Sequence, residues 1–122
     1  MAAQEDLNRL ATRWWRIRQP GGFFFPTKDL PPEEQDAAVA IDDAVYALVR
    51  DPATLRPMFE AIIAACPDET ELAYVGASVV EEAERFIGPG ALLILEGSSV
   101  QAEKLAKVMA GYWPHMPPGV HG

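Results

Sequence analysis

"ELAYVGASVVEEAERFIG" runs from Glu71 to Gly88, and the way it divides decides the fold. Almost every position suits a helix, yet Gly76 stands near its centre and a fresh helix-start signal follows two residues later. "DETE" (Asp68–Glu71) has the form of a capping box: an acceptor side chain at Asp68, answered by a carboxylate three residues on. "SVVE" (Ser78–Glu81) repeats that form ten residues later. Two boxes in one run imply two helices. The first carries Leu72 and Val75; the second buries Val79, Val80, Ala83, Phe86 and Ile87 before "GPG" (Gly88–Gly90) stops it. On this reading Asp68 and Ser78 are caps and Gly76 is the hinge. Glycine there accepts the positive φ that ends a helix, and it lets a neighbouring backbone approach closely.

Outward from this segment the chain reads as helical throughout. Between Gln4 and Arg16, Leu7, Leu10, Ala11, Trp14 and Trp15 recur at three- and four-residue spacing, which marks one buried helical face. A second helix is predicted from Pro32–Glu33 to about Arg50. Its acidic first turn suits the helix dipole, its buried stripe is Ala38, Ile41, Val45, Leu48 and Val49, and Asp36, Asp43, Tyr46 and Arg50 lie opposite. A third follows Asp51-Pro52, with Leu55, Met58, Phe59, Ile62, Ile63 and Cys66 inward. Pro57 fits if that helix begins at Thr54, so that the proline occupies its first turn. "ALLIL" (Ala91–Leu95) has the periodicity of a strand, but nothing else in the chain offers it a partner, so a helix from Pro89 to Gly97 is the better reading. "SSVQ" (Ser98–Gln101) again has capping-box form, and a last helix is predicted to run to about Gly111 with Val100, Leu105, Val108, Met109 and Tyr112 inward.

The expectation is an all-α single domain, residues 1–113, of five to six short helices packed as helical hairpins; the alternative is α+β with residues 91–95 as a strand. Residues 19–32 form a long connection rich in proline, glycine and phenylalanine, with Phe23, Phe24 and Phe25 expected to fold back over the core; the alternative is an exposed recognition patch. Residues 114–122 read as a disordered tail.

These residues resemble a family of small bacterial helical domains with no assigned function. Its members share a run of the type leucine-alanine-tyrosine-(valine or leucine)-glycine-alanine-glycine-proline-leucine-glutamate. Here the run is Leu72, Ala73, Tyr74, Val75, Gly76, Ala77, Ser78, Val79, Val80 and Glu81, with Ser78-Val79 in place of glycine-proline. "DDAVYALVRDPATLRPMFEAIIAACPDE" upstream is similar to the family's helix pair, "KVMAGYW" (Lys107–Trp113) to its closing leucine-glycine-glycine-x-tryptophan, and "RWWRIR" (Arg13–Arg18) to its amino-terminal tryptophan helix. The similarity covers about residues 36–113 and departs from the family at "GPGALLILEGSS". It implies an all-helical fold and supplies no catalytic residue.

At 122 residues the chain can build one domain with a real core and is too short for two. No apolar run approaches the roughly 20 residues needed to span a membrane. The start, "MAAQEDLNRL", is acidic where a secretory signal would be basic and then apolar, and a single cysteine excludes an internal disulfide framework, so a cytoplasmic protein is expected. The net charge is −8. Residues 1–18 contribute +2, four arginines against two carboxylates, so the remainder carries −10. A surface of that sign repels nucleic acid and anionic lipid and attracts basic partners.

Catalytic signatures are missing from the sequence. Cys66 lies on an apolar helix face and reads as a small core residue. His115 and His121 lie in the terminal tail, without the preorganisation a metal requires. No glycine-rich loop follows a strand. Glu81, Glu82 and Glu84, with Asp68, Glu69 and Glu71 nearby, occupy helix first turns, where capping and the dipole account for them. No metal or other cofactor is expected. The leading functional expectation is a non-enzymatic protein-binding module, most specifically an immunity protein that neutralises a basic bacterial toxin through Asp42, Asp43, Glu81, Glu82 and Glu84. The alternatives are a small regulatory or scaffold domain of a larger bacterial assembly and an enzyme with an unrecognised carboxylate site.

Overall fold

Helix α1 (Gln4–Arg16) forms because its ends suit the dipole and its apolar residues share one side. Glu5 and Asp6 stand in the first turn, Arg13 and Arg16 in the last, and Leu7, Ala11, Trp14 and Trp15 are buried. A computed structural model describes these residues together with residues 32–112. The expected placement of Phe23–Phe25, most of the 19–32 connection, and the 114–122 tail lie outside the described residues.

Helix α2 (Pro32–Val49) buries Ala38, Val45 and Val49, with Ile41 and Leu48 half-covered. A tight corner then turns the chain back. The Asp51 carboxylate accepts from the Ala53 N–H at 2.9 Å, and the Thr54 hydroxyl donates to the Leu48 carbonyl at 2.7 Å. These bonds satisfy backbone groups that the break would otherwise orphan. Helix α3 (Leu55–Ala65) starts at once, with Pro57 inside its first turn. It buries Leu55, Met58, Phe59, Ala61, Ile62 and Ile63. Cys66, expected in the core, is instead half-exposed at the end of this helix, where its thiol donates to the Asp68 carbonyl at 3.1 Å.

The opening segment is one rod, not a bent pair. A 3₁₀ turn (Glu69–Glu71) leads into α4 (Leu72–Val75), a π-helical turn (Gly76–Val80) and α5 (Glu81–Ile87) without interruption. Gly76 has φ −61° and ψ −44°, ordinary right-handed helix, so it is not a hinge. Ser78 is not a cap either. Its hydroxyl donates to the Tyr74 carbonyl one turn back at 2.7 Å, the pattern of a helix interior. The π turn carries the backbone through the first three residues of the second capping signal as continuous helix. Asp68 does cap: its carboxylate accepts from the Thr70 N–H at 2.9 Å, which holds its pKa below the usual value.

Gly76 is required by proximity. A Cβ there would overlap the Val108 carbonyl oxygen and stand 2.9 Å from the Tyr112 nitrogen. Gly111 is its counterpart, because a Cβ there would overlap the Ala73 carbonyl and stand 2.9 Å from the Ala73 Cα. The two glycines let α4 and the end of α7 (Ala102–Met109) touch backbone to backbone. "LAYVGA" and the glycine-tyrosine of "AGYW" therefore meet in space, and Tyr74 packs tilted against Trp14 with ring centroids 5.8 Å apart.

The rod ends at Gly88, whose φ of +94° suits glycine alone. Helix α6 (Gly90–Glu96) follows, so residues 91–95 are helical, and no strand occurs among the described residues. The link to α7 is not capped by Ser98. The Ser99 N–H donates instead to the α3 carboxylate of Glu60 at 2.6 Å, and α7 begins only at Ala102. The architecture is all-α. Helices α1, α2 and α3 pack on one another, most extensively α1 on α3; α6 bridges α3 and α5, α2 touches α5, and α7 packs on α4. One core joins them, in which Trp14, Phe59, Leu55, Met58, Ile62 and Leu72 are fully buried. The Trp15 indole donates to the Ile62 carbonyl at 2.8 Å, which ties α1 to α3.

Candidate functional site

The α2–α3 corner meets the first turns of α5. The Arg50 guanidinium donates through Nη2 and Nε to Glu82 Oε2 at 2.6 and 2.8 Å, and it lies 4.4 Å above the Phe86 ring. Glu82 and Phe86 are one turn apart on α5, so a single arginine spans both. Phe86 was expected inward. It is 55% exposed, with one face under the cation and the other side open.

The other carboxylates are spread over several elements. Glu84 is half-buried on α5 and accepts from the Tyr112 hydroxyl at 3.2 Å. Burial, aided by the Glu84 charge and this hydrogen bond, pushes the Tyr112 phenol up to about 12. Glu81, three residues before Glu84, is half-buried, and its charge also raises the Tyr112 pKa. Asp43 is exposed on α2 and shares a helical stripe with Tyr46 and Arg50, whereas Asp42 is half-buried. The structure thus brings Glu82 to the end of α2 and Glu84 to the end of α7. Asp42, Asp43, Glu81, Glu82 and Glu84 do not form one open acidic face, because Glu82 and Glu84 are engaged by side chains of the fold itself.

Two clefts flank these groups. One, of about 400 Å³, is lined by Pro52, Ala53, Arg56 and Pro57 of the corner and by Leu93, Ile94 and Gly97 of the α6 end. Leu93 is 71% exposed at its edge. The other, of about 260 Å³, has Ala73 and Ala110 as its floor and the Glu69–Lys107 pair, 2.6 Å apart, at its rim. The bond to Lys107 and its charge lower the Glu69 pKa, and the same bond raises that of Lys107.

Burial, reinforced by the charges of Glu71 and Asp68, raises the Cys66 thiol above its ordinary value, the opposite of what an activated nucleophile needs. Among the described residues no group of three or more His, Cys, Asp or Glu side chains is placed to hold a metal. His115 and His121 lie outside the described residues. No helix among the described residues is long and apolar enough to cross a membrane.

Sequence reasoning missed the Arg50–Glu82–Phe86 group. Its arginine and carboxylate are 32 residues apart, and helical periodicity cannot see a pairing at that distance. The local signal, Phe86 one turn after Glu82, is masked because Phe86 also continues the apolar stripe of Val79 and Ala83. No family model matches the chain, and neither a curated protein nor a solved structure matches it.

Proposed function

We propose that this chain is a non-enzymatic protein-binding module that engages a basic protein, most specifically an immunity protein that neutralises a bacterial toxin in the cytoplasm. The observation that carries the reading is charge. A 122-residue chain with a net charge of −8 and a balance of −10 beyond residue 18 sets up a field that draws in positive partners and repels phosphate backbones. Complementary potentials act chiefly on the rate of encounter. An exposed carboxylate such as Asp43 can also occupy a site that a nuclease-like toxin builds for phosphates.

The test is co-expression with the product of the neighbouring reading frame. Protection of growth from that product, together with a stoichiometric complex whose formation slows as salt rises, supports the reading. A neighbouring product that is harmless, or that the chain neither binds nor restrains, refutes the immunity assignment.

A further inference from the structure

Two of the three large apolar side chains exposed among the described residues flank the same corner. Phe86 lies against Arg50 on one side, and Leu93 edges the cleft of Pro52, Ala53 and Pro57 on the other. Arg50 and Pro52 are two residues apart, so this corner carries the aromatic ring and guanidinium on one side and the cleft on the other, the two parts of one strip. Each arginine of the strip is held by the fold. Arg50 is fixed on Glu82, and Arg56 lies 3.9 Å from Glu60. Asp51 and Glu96 stand exposed at its edges. Apolar groups with a polar rim are what concentrate binding energy at protein interfaces.

We infer that this corner is a docking surface for another protein, and that its occupant is an apolar segment flanked by lysine or arginine. The inference rests on the reading of the chain as a binder of basic proteins. Charge decides between occupants. Arg50 and Arg56 are already paired with carboxylates, and exposed Asp51 and Glu96 outnumber the one further arginine here, Arg85 beside Phe86, so the rim is left slightly negative. A second copy would bring −8 against −8, whereas a basic-flanked segment meets an opposite field. The division of labour follows. Carboxylates spread over the surface speed encounter, and Phe86, Leu93 and the cleft that Leu93 lines slow release.

A phage-displayed library of random 16-residue peptides, selected on the intact chain, tests this. Enriched peptides are expected to carry an apolar residue between basic ones. Synthetic copies are expected to lose affinity by about tenfold or more on Phe86→Ser and on Leu93→Ser, mainly through faster dissociation. Both side chains are exposed, so circular dichroism should show the fold unchanged. Glu69→Gln, at the other cleft, should leave binding as it was. Basic peptides that bind both serine variants as well as the parent overturn the docking surface while leaving the basic-partner reading intact. Enriched peptides without lysine or arginine overturn both. Failure to enrich any peptide, or a concentration-dependent dimer that Leu93→Ser dissolves, also overturns the inference.

Discussion

Gly76 and Gly88 are glycines for opposite reasons, and alanine at each separates them. At Gly76 the backbone is ordinary helix and the space is full, since a Cβ would meet the Val108 carbonyl, which cannot swing aside as a side chain would. Gly76→Ala gains about 1 kcal/mol of helix propensity. The cost of forcing α4 from α7 is about 1–3 kcal/mol and should win. A lower denaturant midpoint is expected; a midpoint above the parent's would show that the contact yields freely. Gly111→Ala strains the same contact from the other side, so the double variant should cost less than the sum of the two. At Gly88 nothing lies within 4 Å of a Cβ, but φ is +94°. Gly88→Ala should therefore destabilise by about 1–3 kcal/mol through backbone strain alone, without coupling to Gly111→Ala.

At the scale of elements, polar ties join helices that are distant in the chain. Lys107 binds Glu69 across 38 residues, and Tyr112 binds Glu84 across 28. The lowered Glu69 pKa makes that tie present above the normal glutamate range and lost as pH falls through the depressed value. The raised Lys107 pKa makes it lost again as pH rises through the elevated value. Protection factors of α7 amides, corrected for the slower intrinsic exchange in acid, should therefore fall before those of the core, and Lys107→Met should abolish that early step. Tyr112 has the sign of a group whose neutral form is favoured. Its contribution is complete below pH 10 and lost as pH climbs towards about 12. Ultraviolet titration should show one phenol ionising near 12, and Tyr112→Phe should remove that step. Such ties were not legible in the sequence, because a pairing over tens of residues leaves no local pattern. The helices were legible, because Leu7, Ala11 and Trp14, or Leu55, Met58 and Ile62, repeat at the period of one face. The π turn was not. Its five residues look like a cap followed by a new helix until the backbone shows one continuous rod.

For the whole molecule, the charge that favours a basic partner must be tested without breaking the fold. Glu82→Lys would set a second cation against Arg50, so it probes stability as much as binding. Asp43→Lys does not have that fault, since Asp43 is exposed on α2. It should lower the association rate with a basic partner and flatten its salt dependence, leaving the melting curve near the parent's. Stopped-flow mixing at two ionic strengths checks this, and an unchanged rate would place the encounter face elsewhere. One feature of the fold bears on how the molecule is put together. Helix α1 buries Trp14 and Trp15 and plugs an indole N–H into a carbonyl of α3, 47 residues away. Its attachment to the core is thus made by side chains, as a ligand's would be. A chain cleaved between Arg16 and Pro32 should leave a peptide that docks back in trans, and the blue shift of its two tryptophans would report the reassembly. The first helix is then a built-in peptide ligand, and the other helices together form its receptor.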